Sequence, residues 1–247
     1  MADIYFAKVP LRNTYLRFRN RLARGDAFTE FMHLYDIDLV LDVGANKGQY
    51  GRQLIRNGFR GRIVSFEPLP SALDKLQLNR WSFASWKVQP FALGAENARA
   101  TLNIAGNSQS SSLQPMMPAH IEAAPSAAYV ATCEVDVRRL DDIFDQYCQP
   151  GDNCYMKLDV QGHEHKVIAG ALQSLERITA IQMELSIEPL YEGAETWQEA
   201  IASMQQLGYK LMMLTPGFRD QTTGEMMQAD GVFVRNEAVE RLRASHR

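Results

Sequence analysis

Several features that mark specialised classes of protein are missing from this sequence of 247 residues. No apolar run approaches the roughly 20 residues that a membrane-spanning helix needs, so no transmembrane segment is expected. There are only three cysteines, an odd number without Cys-x-x-Cys spacing, which argues against a disulfide framework. The first residues also lack the long apolar core of a secretory signal peptide. Together these absences predict a cytoplasmic protein.

Basic residues are not in excess either. The 26 lysines and arginines face 29 aspartates and glutamates, giving a net charge of −3 and an isoelectric point near 6.0. Proteins that bind nucleic acid usually carry an excess of positive charge, so no nucleic-acid partner is expected. Hydrophobic residues make up 46% of the chain and charged residues 22%, which is typical of a globular domain. Whether the chain forms a homo-oligomer is left open.

From residue 38 onward, short apolar runs alternate with helix-like segments. Strands are predicted at 38–43, 62–66, 86–93, 133–137, 154–159 and 180–185, and helices at 47–57, 70–79, 140–147, 163–175 and 196–207. This order predicts right-handed βαβ crossovers and a mostly parallel sheet. Two later β-like segments, 209–214 and 228–235, predict a hairpin that adds an antiparallel strand.

The predicted fold class is therefore α/β, a three-layer Rossmann-like domain over residues 38–247. Residues 1–37 are predicted to form an N-terminal helical extension, because hydrophobic residues recur at helical spacing between 11 and 36. The polar stretch 94–130 is rich in Ala, Ser, Asn and Pro and has no clear period, so no element is predicted there.

The turn DVGANKG, residues 42–48, joins the first predicted strand to the first helix. In a doubly wound sheet, ligands bind at the carboxyl ends of the strands, where glycines let the backbone approach closely. The spacing Gly44-x-x-x-Gly48 is not the Gly-x-Gly-x-x-Gly of a dinucleotide site, which disfavours an NAD-dependent oxidoreductase. Asp42 offers a carboxylate to an ammonium group, and Glu67 at the end of the second strand can accept both hydroxyls of a ribose.

Motifs in the same order along the chain resemble those of the FkbM-like methyltransferases. They are DVGANKGQYG, SFEPLPSALDKLQLN and KLDVQGHE, followed by ELSIEPLYEG and ADGVFVR. That family consists of S-adenosylmethionine-dependent O-methyltransferases, which often act on hydroxyls of sugars or polyketides. The resemblance implies a class I methyltransferase fold, with S-adenosyl-L-methionine as the cofactor and S-adenosyl-L-homocysteine as the product.

The resemblance also implies where the cofactor would bind. Asp42, Gly44 and Asn46 would lie near its methionine portion, and Glu67, with Pro68 directly after it, on its ribose.

Two further segments are implied by the resemblance. Ala92 and Leu93, at the end of the third strand, would flank the adenine, although ordinary strand core is the alternative explanation. Ser111 and Ser112 resemble a serine pair of the family, in a loop that would fold over cofactor or acceptor; a flexible polar loop is the alternative.

Ionisable residues crowd the ends of two later strands. Lys157 and Asp159 alternate with apolar neighbours and so share one face of a strand, and Glu184 lies near the end of the next. A buried strand rarely carries such residues unless they are paired or face a ligand. Methylation of a hydroxyl requires that the oxygen be positioned and relieved of its proton. Asp159, His163 and Glu184 are the candidate bases.

Asp159 and Glu184 could instead share Mg²⁺, because oxygen ligands suit that ion. Two carboxylates alone make a poor metal site, and no cluster in the sequence has metal-ligand spacing. No metal is therefore predicted.

The predicted function is methylation of a hydroxyl on a carbohydrate or secondary metabolite, with a small-molecule or glycan acceptor as the partner. The alternative is a non-catalytic module that binds S-adenosylmethionine or a nucleoside and regulates another protein. The cluster of Lys157, Asp159 and Glu184 favours an enzyme, because binding alone does not need such a cluster.

Overall fold

The computed structural model describes residues 27–80 and 83–245. Its helices are α1 (Ala27–Leu34), α2 (Gln49–Arg56), α3 (Pro70–Arg80), α4 (Pro118–Ala123), α5 (Glu164–Ala169), α6 (Trp197–Gln206) and α7 (Asn236–Ser245). Its strands are β1 (Leu39–Val43), β2 (Arg62–Phe66), β3 (Trp86–Gln89), β4 (Ala92–Leu93), β5 (Ala98–Ala105), β6 (Tyr129–Arg138), β7 (Cys154–Leu158), β8 (Ile178–Ser186), β9 (Tyr209–Pro216) and β10 (Gln228–Arg235).

Seven strands form the central sheet, in the order β3-β2-β1-β7-β8-β10-β9. The strands β3, β2, β1, β7 and β8 run parallel, whereas β10 is antiparallel to both β8 and β9. The order reverses between β1 and β7, and in doubly wound folds ligands bind at this switch point. The predicted α/β class, the mostly parallel sheet and the C-terminal hairpin are confirmed.

The two faces of the sheet are covered by different helices, because successive strand residues point to opposite faces. On one face, Met156 and its neighbours pack against α5 and α6. On the other, Val40 and Tyr155 pack against α1, α2, α3 and α7. The result is the predicted arrangement of three layers, with the sheet in the middle.

Helix α1 belongs to the second of these cores. Phe31 is 2% exposed and its ring lies 6.0 Å from that of Tyr155 on the central strand β7. The part of the predicted N-terminal extension that the structure describes therefore packs directly on the sheet. Residues 1–26 lie outside the described residues, and the boundary at residue 37 stays a prediction.

The single strand predicted over residues 86–93 is wrong. It divides into β3, which is the edge of the central sheet, and β4, which pairs with β6 in a second sheet. Pro90 lies between them. Because proline has no N–H to donate and is confined to edges and ends of strands, the chain leaves the central sheet there.

The polar stretch 94–130 is more regular than its composition indicates. It contains β5, α4 and the beginning of β6, and β4, β6 and β5 form a three-stranded sheet. The predicted strand 133–137 is the second half of β6 and lies in this small sheet. Strand β5 buries only Leu102 and Ala105, so the hydrophobic alternation that reveals a strand is weak.

Two predicted helices are shorter than expected. Residues 140–147 form two short 3₁₀ turns, in which the N–H groups of Ile143 and Tyr147 donate to the carbonyls three residues earlier, those of Leu140 and Phe144, both at 3.0 Å. The helix predicted over 163–175 ends at Ala169. Gly170 is the C-cap residue, and a Cβ there would lie 1.9 Å from the carbonyl oxygen of Gly94, so only glycine fits this close backbone contact.

No helix within residues 27–80 and 83–245 is long and apolar enough to cross a membrane.

Candidate functional site

A cavity of about 600 Å³ opens at the carboxyl ends of β1, β2 and β7, which the parallel sheet brings to one edge. Small-molecule sites commonly measure roughly 300–1,000 Å³. Every residue singled out in the sequence as a site candidate lines this cavity, with the exception of Asp42. The sequence therefore predicts the place of the cavity, since residues at the ends of parallel strands converge.

Glu67 directly follows β2 and is 6% exposed. Its carboxylate accepts hydrogen bonds from the backbone N–H groups of Asn46 at 2.6 Å and Leu69 at 2.7 Å. Burial raises the pKa of Glu67 to about 7, although these two hydrogen bonds act in the opposite direction. Each carboxylate oxygen has more than one acceptor position, so the group can still bind ligand hydroxyls at the cavity wall.

The loop that carries the two predicted serines is held in place by hydrogen bonds. The amide of Asn46 donates to the carbonyl of Ser108 at 3.0 Å, and the hydroxyl of Ser111 donates to the same carbonyl at 3.0 Å. Ser112 is 1% exposed and donates to the carbonyl of Gln161 at 2.6 Å. The loop is thus tied both to the turn between β1 and α2 and to the turn after β7.

Asp42 lies beneath the cavity instead of in its wall. Its side chain has no exposed surface, accepts a hydrogen bond from Ser65 at 2.9 Å and lies 4.0 Å from the ammonium group of Lys157. Sheet register causes this, because Ser65, Asp42 and Lys157 are neighbours in one row across β2, β1 and β7. The position does not favour the direct contact with a ligand ammonium group that the sequence suggests.

Gly44 has a φ of 78°, in the left-handed region that favours glycine. A Cβ there would lie 1.9 Å from the carbonyl oxygen of Asp159. Gly44 also lines the cavity, but glycine is required here because the backbone at the end of β7 leaves no room for a side chain.

Pro68, Ala92 and Leu93 form an apolar part of the cavity wall. Ala92 and Leu93 are also buried in β4, where they pair with Val137 and Arg138 of β6. Strand core and cavity wall are therefore compatible roles for this pair.

The acidic edge, which comprises Asp159 and Glu184, is connected by one amide group. Asp159 accepts hydrogen bonds from Lys157 at 2.8 Å and from the Nε2 of Gln161 at 2.8 Å. The same Nε2 donates to Glu184 at 2.8 Å, and the Oε1 of Gln161 accepts from the hydroxyl of Tyr191 at 2.6 Å. The two predicted carboxylates do meet, with Gln161 between them.

The charges of this edge shift two pKa values. Burial raises the pKa of Glu184 well above its ordinary value, and the nearby charges of Asp159 and Glu164 raise it further. Burial disfavours the charged form of Lys157, but the carboxylates of Asp159 and Asp42 outweigh it and raise the pKa of Lys157. Lys157 therefore stays protonated at neutral pH, and Glu184 can hold a proton closer to neutral pH than an ordinary glutamate.

His163 lines the cavity at the start of α5, and its Nδ1 lies 2.9 Å from the Nε2 of Gln114. Because an amide nitrogen is only a donor, Nδ1 accepts this hydrogen bond and Nε2 carries the ring hydrogen. Burial lowers the pKa of His163 to about 4. Both facts make His163 a weaker candidate base than the acidic edge.

The family follows from comparison with known proteins. The model of the methyltransferase FkbM domain matches residues 42–211, which is well over half of the chain. The chain belongs to this family of methyltransferases. The resemblance stated from the motifs is confirmed.

The relatives of this FkbM methyltransferase include a 2-O-methyltransferase, NoeI, from Sinorhizobium fredii. The two are 28% identical over 168 residues, which cover 63% of this chain and 66% of the relative, slightly less than two thirds of its length.

Solved structures with a similar fold include magnesium protoporphyrin IX methyltransferase from Synechocystis with bound SAM. It has a TM-score of 0.47 and 10% identity, over 95% of this chain and 86% of that one. Fibrillarin from Aeropyrum pernix, in complex with S-adenosyl-L-methionine, has a TM-score of 0.46 and 13% identity, over 80% of this chain and 66% of that one. Both TM-scores are below 0.5.

Two residues next to the acidic edge of this FkbM methyltransferase are not singled out by the sequence. Gln161 has a φ of 56° and is followed by Gly162 with a φ of 88°, so the turn after β7 directs its amide back to the acidic edge. Glu164 is 7% exposed and accepts a hydrogen bond from the N–H of Val160 at 3.0 Å. The signal in the sequence was the glycine after Gln161, which indicates a tight turn.

Replacing Glu164 with glutamine is expected to change how stability depends on pH. Burial raises the pKa of Glu164 to about 7, so the folded protein takes up a proton more readily than the unfolded chain. This contribution to stability is full below the unfolded pKa and is lost as the pH rises to about 7. Between pH 5 and pH 8, the parent should therefore lose about 2 kcal/mol more free energy of unfolding than Glu164→Gln, whose side chain does not titrate.

Urea unfolding of both proteins at each pH measures this difference. Glu176→Gln is the matched control, since Glu176 is exposed. A difference that is the same at pH 5 and pH 8 would contradict the assignment of Glu164 as a buried carboxyl group.

Proposed function

We propose that this FkbM methyltransferase transfers a methyl group from S-adenosylmethionine to a hydroxyl group of a carbohydrate or small metabolite. The observation that carries the proposal is the acidic edge, in which Asp159 and Glu184 meet at the wall of a cavity that has Glu67 at another part of its wall. The 2-O-methyltransferase name of the relative NoeI supports an oxygen acceptor.

The residues of the cavity fit the proposed cofactor. Glu67 would accept hydrogen bonds from the ribose hydroxyls, as acidic residues at the end of the second strand do in related nucleotide folds. Pro68, Ala92 and Leu93 would pack against the adenine. Gly44 and Asn46 would lie beside the methionine portion. The carboxylate of Asp42 is buried and would attract the ammonium group of that portion without touching it. When bound, S-adenosylmethionine supplies an electrophilic methyl group.

The acidic edge would orient the acceptor hydroxyl and receive its proton. A carboxyl group with a raised pKa is a stronger base when ionised, and this favours Glu184 as the proton acceptor. Asp159 would hold the acceptor oxygen in line, while the ammonium group of Lys157, 2.8 Å away, balances its charge. Gln161 keeps the two carboxylates in place. A correctly placed base commonly contributes about 10²–10⁴-fold to the rate.

The test is transfer of an isotopically labelled methyl group from S-adenosylmethionine to a panel of methyl glycosides, followed by mass spectrometry, with and without EDTA. We expect a labelled methyl ether and the same rate in EDTA. Within residues 27–80 and 83–245, no group of three or more His, Cys, Asp or Glu side chains could hold a metal ion.

The double variant Asp159→Asn, Glu184→Gln is the control for this assay. Cofactor binding without transfer to any hydroxyl compound would favour a binding module, and loss of transfer in EDTA that Mg²⁺ restores would make Asp159 and Glu184 metal ligands.

A further inference from the structure

Three segments fold over the ends of β7, β8 and β10 and together form what we call the cover. They are helix α4 with the residues before it, the segment after β8, and the tip of the hairpin between β9 and β10. Their side chains form a small apolar cluster separate from the two main cores, with Leu190, Tyr191 and Met227 at its centre. Backbone hydrogen bonds join the segments: Met117 N–H donates to the Leu190 carbonyl at 2.9 Å, and Ile187 N–H to that of Met227 at 2.9 Å.

One polar side chain, His120 of α4, is buried within this cover. It is 4% exposed and also lines the cavity. Its ring meets that of Tyr191 edge to face at 5.2 Å and lies 5.6 Å from the ring of Phe218, which lines the cavity too. The apolar surroundings would suit a phenylalanine at this position equally well.

The Nδ1 atom of His120 is fully buried and has no hydrogen-bond partner among residues 27–80 and 83–245. Leaving a buried polar group unpaired costs roughly 1–3 kcal/mol. Burial also lowers the pKa of His120, so the ring is neutral at neutral pH and has one donor and one acceptor nitrogen. The unpaired ring at a cavity wall indicates a partner that arrives with the ligand.

The chemistry around His120 defines that partner. A hydroxyl group can both donate and accept, so it pairs with a neutral imidazole whichever nitrogen carries the hydrogen. Elsewhere in the cavity wall, the acidic edge accepts hydrogen bonds, and Phe218 offers an apolar ring face. A ligand with hydroxyl groups on a partly apolar ring, such as a neutral pyranoside, matches all three.

We propose that His120 is a specificity-determining residue, which hydrogen-bonds a second hydroxyl of the acceptor from the cover while Phe218 packs against the acceptor ring. The inference rests on the proposed function, because it assigns this part of the cavity to the acceptor. His120 would contact the acceptor from the cover, whereas Asp159 and Glu184 would contact it from the ends of the strands.

The experiment follows the imidazole ¹⁵N resonances of His120 in the complex of the full chain with S-adenosylhomocysteine, while neutral methyl pyranosides are added. A pyranoside that binds should shift the His120 resonances and leave those of His33, which is exposed on α1, unchanged. His120→Phe keeps an aromatic ring and removes both nitrogens. It should weaken the binding of that pyranoside at least tenfold and leave the affinity for S-adenosylhomocysteine within twofold.

His33→Phe is the matched control and should change neither affinity. Pyranoside binding that leaves the His120 resonances unmoved, or unchanged affinity in His120→Phe, would overturn the proposal. Binding of S-adenosylhomocysteine without binding of any pyranoside at 50 mM, a concentration on the order of ten times a weak millimolar Kd, would overturn it too. Failure to bind S-adenosylhomocysteine at all would instead count against the proposed function. The wild-type titration needs no variant, so a folding defect in His120→Phe leaves the test decisive.

Discussion

Replacing Glu67 with alanine is expected to weaken the binding of S-adenosylhomocysteine by about 10–100-fold at pH 8. The substitution removes the carboxylate that would accept the ribose hydroxyls. It also leaves the backbone N–H groups of Asn46 and Leu69 without the acceptor that they have at 2.6 and 2.7 Å. Isothermal titration measures the loss, and thermal unfolding separates it from any loosening of the turn.

The pH dependence of the same binding provides a second measure of Glu67. Because the pKa of this group in the ligand-free protein is about 7, it is mostly protonated at pH 6 and mostly ionised at pH 8. If only the carboxylate binds the ribose, affinity should be about tenfold higher at pH 8 than at pH 6. Glu67→Gln should remove this dependence, and Glu96→Ala, at an exposed position, should retain it.

Parental affinity in Glu67→Ala would show that the cofactor does not bind at the end of β2. If the parent protein binds S-adenosylhomocysteine equally well at pH 6 and pH 8, the pKa of Glu67 lies outside this pH range.

The largest effect on turnover is expected at the acidic edge. Asp159→Asn and Glu184→Gln keep shape and volume but remove the negative charge that would orient and deprotonate the acceptor hydroxyl. Each should lower kcat at least about tenfold, which corresponds to roughly 1.4 kcal/mol of barrier. The affinity for S-adenosylhomocysteine should stay within about twofold, because the carboxylates lie past the strands expected to hold the cofactor.

Asp136→Asn, an exposed carboxylate on β6, is the control and should retain parental kcat. His163→Ala should lower kcat less than either variant, since the Nδ1 of His163 already accepts a hydrogen bond from Gln114. If both edge variants turn over at the parental rate, the edge is a structural network, as buried charged groups often are. A larger loss in His163→Ala would instead make His163 the base.

The order of strands and helices could be predicted because it depends on local hydrophobic period. Helix α6 illustrates this, since the helix predicted over 196–207 is found at Trp197–Gln206, and the structure adds a capping box formed by Thr196 and Glu199 at its start. The stretch containing β5 could not be predicted, because an exposed edge strand buries few side chains. Likewise, no local period separates a helix over 140–147 from the two 3₁₀ turns found there, and the hydrogen bond from the N–H of Asp141 to Gly170 joins residues distant in sequence.

The sequence by itself determined which residues reach the cavity edge. Glu67, Asp159 and Glu184 each lie at or near the end of a strand, and parallel strands in one sheet end at one edge whatever the details of packing. Only the tertiary structure decided what these residues meet there. Asp42 is covered by Lys157 because their strands pair in that register, and Gln161 joins the two carboxylates because a left-handed turn directs it back. Such contacts depend on segments brought together by packing, and no local period encodes them.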